Sequence, residues 1–278
     1  MMRWLWLAIM VFIVVPALII AACAAPTVTQ TVTVTTTTSP ITTPTTTTPS
    51  LPTKADPASI ARGGAIYDKW WEVVEGAIEP IEDHPLWSLQ STNTRSGSDT
   101  WRCKECHGWD CRGKDGAYAS GSHYTGFPGV YNAGTTNTKA QLLEILKGNN
   151  DFQCDFTFLG DDALLDLVNF LSEGLIYQPL YIDYATKKVI GAHLEYGREL
   201  FFGSCHMHCH GMYGQRMNFG SPEEPEYVGT LANSNPWEVL HKIRFGNPGT
   251  PMPSAVANGW SIQDVVDVLG YAQTLPIE

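Results

Sequence analysis

The chain repeats itself. A first half containing IARGGAIYDKWW, CKECHG, TKAQLLEILKGNN and GDDALLDLVNFL is followed by a second containing LEYGRELFFGSCHMHCHG, PWEVLHKIRFGNP and SIQDVVDVLGYA. In each half a stretch with a glycine and, four residues on, an aromatic (Gly63 and Tyr67; Gly197 and Phe201) precedes two cysteines and a His-Gly pair. An amphipathic segment ending in Gly-Asn comes next, at Gly148 and Gly246. A last segment has apolar residues at i, i+3, i+4 and i+7. Duplication at this scale makes each copy one folding unit. It predicts an all-α chain with two tandem domains, residues 55–178 and 185–278.

Six of the seven cysteines lie in these copies. In an exported chain an even number would suggest disulfides. Here four of them stand in pairs directly before histidine: Cys103 and Cys106 before His107, Cys205 and Cys209 before His210. CxxCH is the attachment motif of c-type haem, in which the thiols add to the vinyl groups and the histidine ligates the iron. The second copy has one additional residue, CxxxCH, so His206 and His208 are expected in a bulge. Zinc held by Cys205, Cys209 and a histidine is the competing reading of that string, but it leaves the repeat unexplained.

The order helix, CxnCH, loop, helix, ligand loop, helix resembles the class I cytochrome c fold over residues 58–278. The resemblance implies two covalent c-type haems with His107 and His210 as proximal ligands. It implies that first and last helices cross closely, Gly63 and Gly197 facing Phe170 and Tyr271, and that FPG at 127–129 supports the proximal side of the first haem. GNPGTPMPSAV at 246–256 resembles a distal-methionine loop, with Met252 as sixth ligand of the second haem. A thioether there favours Fe(II) and raises the potential.

The first copy departs from the pattern. No methionine lies between His107 and the end of its last helix. Six residues beyond Gly148, where Met252 stands relative to Gly246, is Cys154. Cys154 is therefore the leading sixth ligand of the first haem. A Cys111–Cys154 disulfide, or ligation by His123 or His84, stays open. An insert at 68–100, with Trp70, Trp71 and Trp87, is expected to pack over a haem edge or the other domain. Arg95, Arg102 and Arg112 are candidate anion contacts.

Ahead of the repeat, residues 1–23 hold an apolar run from Trp4 that fits an export signal or a membrane-spanning anchor. Its end, Ile20–Cys23 (IAAC), resembles the lipobox of bacterial lipoproteins, where the cysteine is lipidated. Residues 24–54 are dominated by Thr and Pro and read as a disordered stalk with nothing large to bury. The folded part is thus expected outside the cytoplasm, held to a membrane by a lipid or an N-terminal helix. A net charge of −11 argues against nucleic acid and for a basic or neutral protein as partner, and the resemblance implies that such partners are other redox proteins. The reading favours an electron carrier over an enzyme. The enzymatic alternatives resemble dihaem thiosulfate dehydrogenases, with a His/Cys haem before a His/Met haem, and more weakly dihaem peroxidases.

Overall fold

A computed structural model describes residues 54–149, 155–205 and 209–278. Cys154, His206, His208, the apolar N-terminal run and nearly all of the Thr/Pro segment lie outside them. The described residues are helical and contain no β-strand, as expected of an all-α chain. None of their helices is long and apolar enough to cross a membrane.

The first half holds α1 (Pro57–Lys69), α2 (Cys103–His107), α3 (Tyr131–Thr136), α4 (Lys139–Leu146) and α5 (Asp161–Asn169). The second holds α6 (Leu194–Ser204), α7 (Val228–Ser234), α8 (Pro236–Phe245) and α9 (Ile262–Ala272). Local signals set the ends. The Asp56 carboxylate accepts from Ala58 N at the start of α1, with Pro57 in the first turn. Thr138 and Gln141 form a reciprocal cap on α4, as Ser261 and Asp264 do on α9. After α5 the chain widens into a π turn, Phe170–Gly174. Asp68 and Lys69 complete α1, so the insert proper starts at Trp70, later than the expected residue 68. It carries three short 3₁₀ turns, Trp70–Glu72, Pro85–Leu89 and Gly97–Trp101.

α1 crosses α5, and α6 crosses α9. Both crossings turn on the expected glycines. A β-carbon on Gly63 would overlap the Asp166 carbonyl, and one on Gly197 would overlap the Asp267 carbonyl. Four residues beyond each carbonyl stands the expected aromatic. Tyr67 and Phe170 have ring centroids 5.2 Å apart, and Phe201 and Tyr271 5.5 Å. The two halves thus share a backbone contact and a ring pair at matching positions.

The cores interlock. The first gathers Ile66, Tyr67, Leu142, Val168 and Phe170, and takes Phe245 from α8. The second gathers Phe201, Leu240, Val265 and Leu269, and takes Trp109 and Tyr118 from the first half. Each half therefore buries aromatic surface of the other.

Because nothing but backbone fits at the α6–α9 crossing, Gly197→Ala forces the helices apart. We expect a loss of about 1–3 kcal/mol, read as a lower urea midpoint with an unchanged m-value.

Candidate functional site

Each cysteine pair is followed by the same backbone device. Gly108 and Gly211 adopt φ of +76° and +75°, a left-handed turn open to glycine at low cost. The turn reverses the chain so that Gly113 N donates to His107 O (2.7 Å) and Arg216 N to His210 O (3.0 Å). The imidazoles are thereby presented from matching loops.

In the second half the expected ligand residues meet. Cys205, His210 and Met252 line one mostly apolar cavity of about 280 Å³, walled by Phe201, Leu231, Val239, Ile243 and Val268. Met252 is fixed from behind. Ala255 N and Val256 N donate to the α8 carbonyls of Ile243 and Arg244, and Ser254 Oγ to Arg244 O. Gly246, at φ +83°, lets the loop fold back so that a β-carbon there would crowd Met252 O. Burial, reinforced by Cys209, pushes the Cys205 thiol up to about 11, and burial lowers His210, which favours neutral imidazole. A neutral imidazole and a thioether lining one mostly apolar cavity are a donor set that an iron porphyrin could use. Cys209 is exposed at the rim. Among the described residues no group of three or more His, Cys, Asp or Glu side chains is placed to hold a metal ion, Cys205, Cys209 and His210 included; His206 and His208 lie outside them.

In the first half His107 Nδ1 lies 2.7 Å from Pro128 O. A carbonyl only accepts, so Nδ1 carries the proton and Nε2 keeps its lone pair, the tautomer of a metal-binding imidazole. Pro128 of the FPG segment thus holds the His107 ring. Cys103 borders the first core beside Val130, Tyr131, Leu143 and Leu146.

The residues between the first pair of cysteines are buried. Lys104 Nζ lies 2.5 Å from Glu105 Oε2. Glu105 Oε1 also accepts from Asn93 Nδ2 (2.9 Å) and meets Arg95 (3.2 Å) and His123 Nδ1 (3.2 Å). Burial opposes its charge, but His123, Lys104 and Asn93 outweigh that and hold the carboxyl far below its ordinary value. The insert therefore closes over the CKECH helix through one carboxylate.

This settles the surroundings of several candidates. His123 has both ring nitrogens engaged, by Glu105 and by Arg95 (3.3 Å), and stacks on Tyr118 at 4.2 Å. His84 Nδ1 accepts from Leu86 N, which puts its proton on Nε2, and the ring packs on Trp101. Neither offers a lone pair as arranged. The arginines do not converge on an anion site. Arg95 pairs with Glu105, Arg102 with Asp68 and Asp99, and Arg112 lies over the Tyr177 ring. Cys111 is a free, buried thiol at φ +60°, pushed up to about 12 by burial.

One buried residue that the motifs do not mark ties the two sites together. Asp68, fully buried at the end of α1, pairs with Arg102 (2.5 Å), the residue before Cys103, and with Lys242 on the wall of the second cavity. Burial would raise it, but Lys242 and then Arg102 hold it down at about 2. Beside it His241, lowered to about 3 chiefly by burial, donates from Nε2 to Gly64 O (2.9 Å).

Comparison with protein-family models, with curated proteins and with solved structures finds no match to the chain.

Removing the Asp68 charge leaves Lys242 without its carboxylate partner and Arg102 with Asp99 alone, so Asp68→Asn is expected to cost about 3–5 kcal/mol at pH 7 in urea denaturation. The folded-state pKa lies below the ordinary 3.8. The contribution is therefore complete above about pH 4 and is lost as pH falls through about 2, where wild type and variant should converge.

Proposed function

We propose that this chain is a membrane-tethered, extracytoplasmic dihaem c-type cytochrome that carries electrons between redox partners. The observation that carries the reading is the second cavity, where Cys205 and His210 share one apolar wall space with Met252. The Nδ1–Pro128 contact of His107 supports the same role in the first half. The repeat supports treating the two as versions of one site.

In this reading Cys103, Cys106, Cys205 and Cys209 hold the haems through thioethers, and His107 and His210 hold the irons through Nε2. Covalently held haem supplies one-electron exchange between ferrous and ferric iron. The chain's own contribution is orientation and dielectric. Pro128 O fixes the ring and proton of His107. Val239, Ile243 and Phe201 keep the second site apolar, which disfavours net charge at the metal. Met252, neutral and soft, favours the reduced state. Cys154 is proposed as the sixth ligand in the first half, where a thiolate would favour the oxidised state and make that haem the lower in potential. The enzymatic alternative gains nothing from Arg95, Arg102 and Arg112, whose charged groups are committed elsewhere. The apolar run and lipobox-like IAAC support tethering, and the acidic balance supports a basic protein partner.

Protein matured in a host that attaches haem c should give two covalent haems per chain in a pyridine haemochrome titration. A single haem, retained on Cys205→Ser, would overturn the second site. Met252→Ala should convert one of the two haems to a high-spin or open-site spectrum and lower its potential, leaving the other unchanged; an identical spectrum would remove Met252 from the ligand set.

A further inference from the structure

Trp109 is fully buried and two residues beyond His107, yet its ring lies in the core of the second half. Its indole Nε1 is buried without a hydrogen-bond partner. As mere filling, an indole is a costly choice at such a place, because phenylalanine or leucine would occupy the site with no donor to desolvate. Nor does the unit's fold require it. The equivalent position two residues beyond His210 is Met212, which is 54 % exposed.

What the ring does touch is α8. Its centroid lies 5.0 Å from that of His241, and Lys242 Nζ lies 5.4 Å from it. Lys242, with Glu238, Val239 and Ile243 of the same helix, lines the cavity of His210 and Met252. From His107 to that wall the route runs along two residues of backbone, across one indole, and onto one turn of α8. A second ring, Tyr67, donates to Gly108 O (2.8 Å) and lies 5.9 Å from His241, farther than the indole.

We infer that Trp109 is the contact through which the two haem sites are electronically coupled, an inference that rests on the dihaem reading. The step moves one electron: a ferrous iron at one site is oxidised and a ferric iron at the other is reduced. No proton and no bond is exchanged. Trp109 itself is neither oxidised nor reduced. Arg102, Lys104 and Lys242 surround its ring at 5.8, 5.1 and 5.4 Å from the centroid. Positive charge at that range stabilises the neutral π-face and opposes withdrawal of an electron from it. The ring acts as dense, polarisable matter in place of a gap.

The test uses the full chain with both haems attached, reduced by a pulse of a pyridinyl radical, with electron redistribution between the haems followed optically. Midpoint potentials and ligand-field spectra are measured beside it. Trp109→Leu should slow the internal transfer several-fold with potentials and spectra unchanged, and Trp109→Phe should fall between it and wild type. Phe245→Leu, which removes a ring tilted against His241 at 4.7 Å and leaves Trp109 in place, should leave the rate unchanged. An unchanged rate in Trp109→Leu overturns the inference, as does equal slowing in Phe245→Leu. So do shifted potentials, which would assign Trp109 to packing. Should the leucine variant not fold, an unchanged rate in Trp109→Phe at unchanged potentials overturns it too. If wild type carries fewer than two haems, the dihaem reading itself fails, an outcome distinct from all of these.

Discussion

Two places where nothing wider than backbone fits between helices organise this protein. At Gly63 and Gly197 the first helix of each half meets a carbonyl of the last one. That closeness fixes the crossing and brings Tyr67 onto Phe170 and Phe201 onto Tyr271. In the second half the end of α6 delivers Cys205 straight to the cavity edge. In the first, α1 ends at Lys69 and the insert intervenes, and the CKECH helix is held instead by the ion network on Glu105.

The halves are joined by charge and aromatic surface together. Asp68 is placed by α1, Arg102 by the entry to α2, and Lys242 by α8, so three elements share one buried carboxylate. Such an arrangement is a poor source of net stability when compared with apolar packing, since each ion must leave water. Its strength lies in specificity: a half rotated or shifted at the interface strands a charge. The interlocked rings of Trp109, His241 and Phe245 add the apolar area that the ion cluster lacks.

The repeat made much of this legible in advance. Six helices of the two copies follow from periodicity and duplication, while the crossing glycines and the company of Cys205, His210 and Met252 follow from the resemblance that those motifs carry. The short helices α3 and α7 leave too few turns for a periodic signal. Asp68 reads as one more acidic residue at a helix end until Lys242, 174 positions away, is beside it. Nothing in the sequence around Trp109 marks its place in the core of the second half. His123 and His84 look like ligands in sequence because composition reveals a donor atom and hides what already occupies it. The pairing of distant residues leaves no local trace, and it is there that sequence reading ran out.

The burial of Lys104 and Glu105 has a consequence for the order of events during biogenesis. These two residues occupy the interior of the CKECH segment, and Asn93, Arg95 and His123 close over them. Any machinery that must grip this stretch from both sides meets it only while the insert is still open. In the second segment Cys209 itself is exposed. On the proposed dihaem reading, attachment at Cys103 and Cys106 would have to precede closure of the insert, whereas the Cys209 thiol would still be open to it in the folded chain.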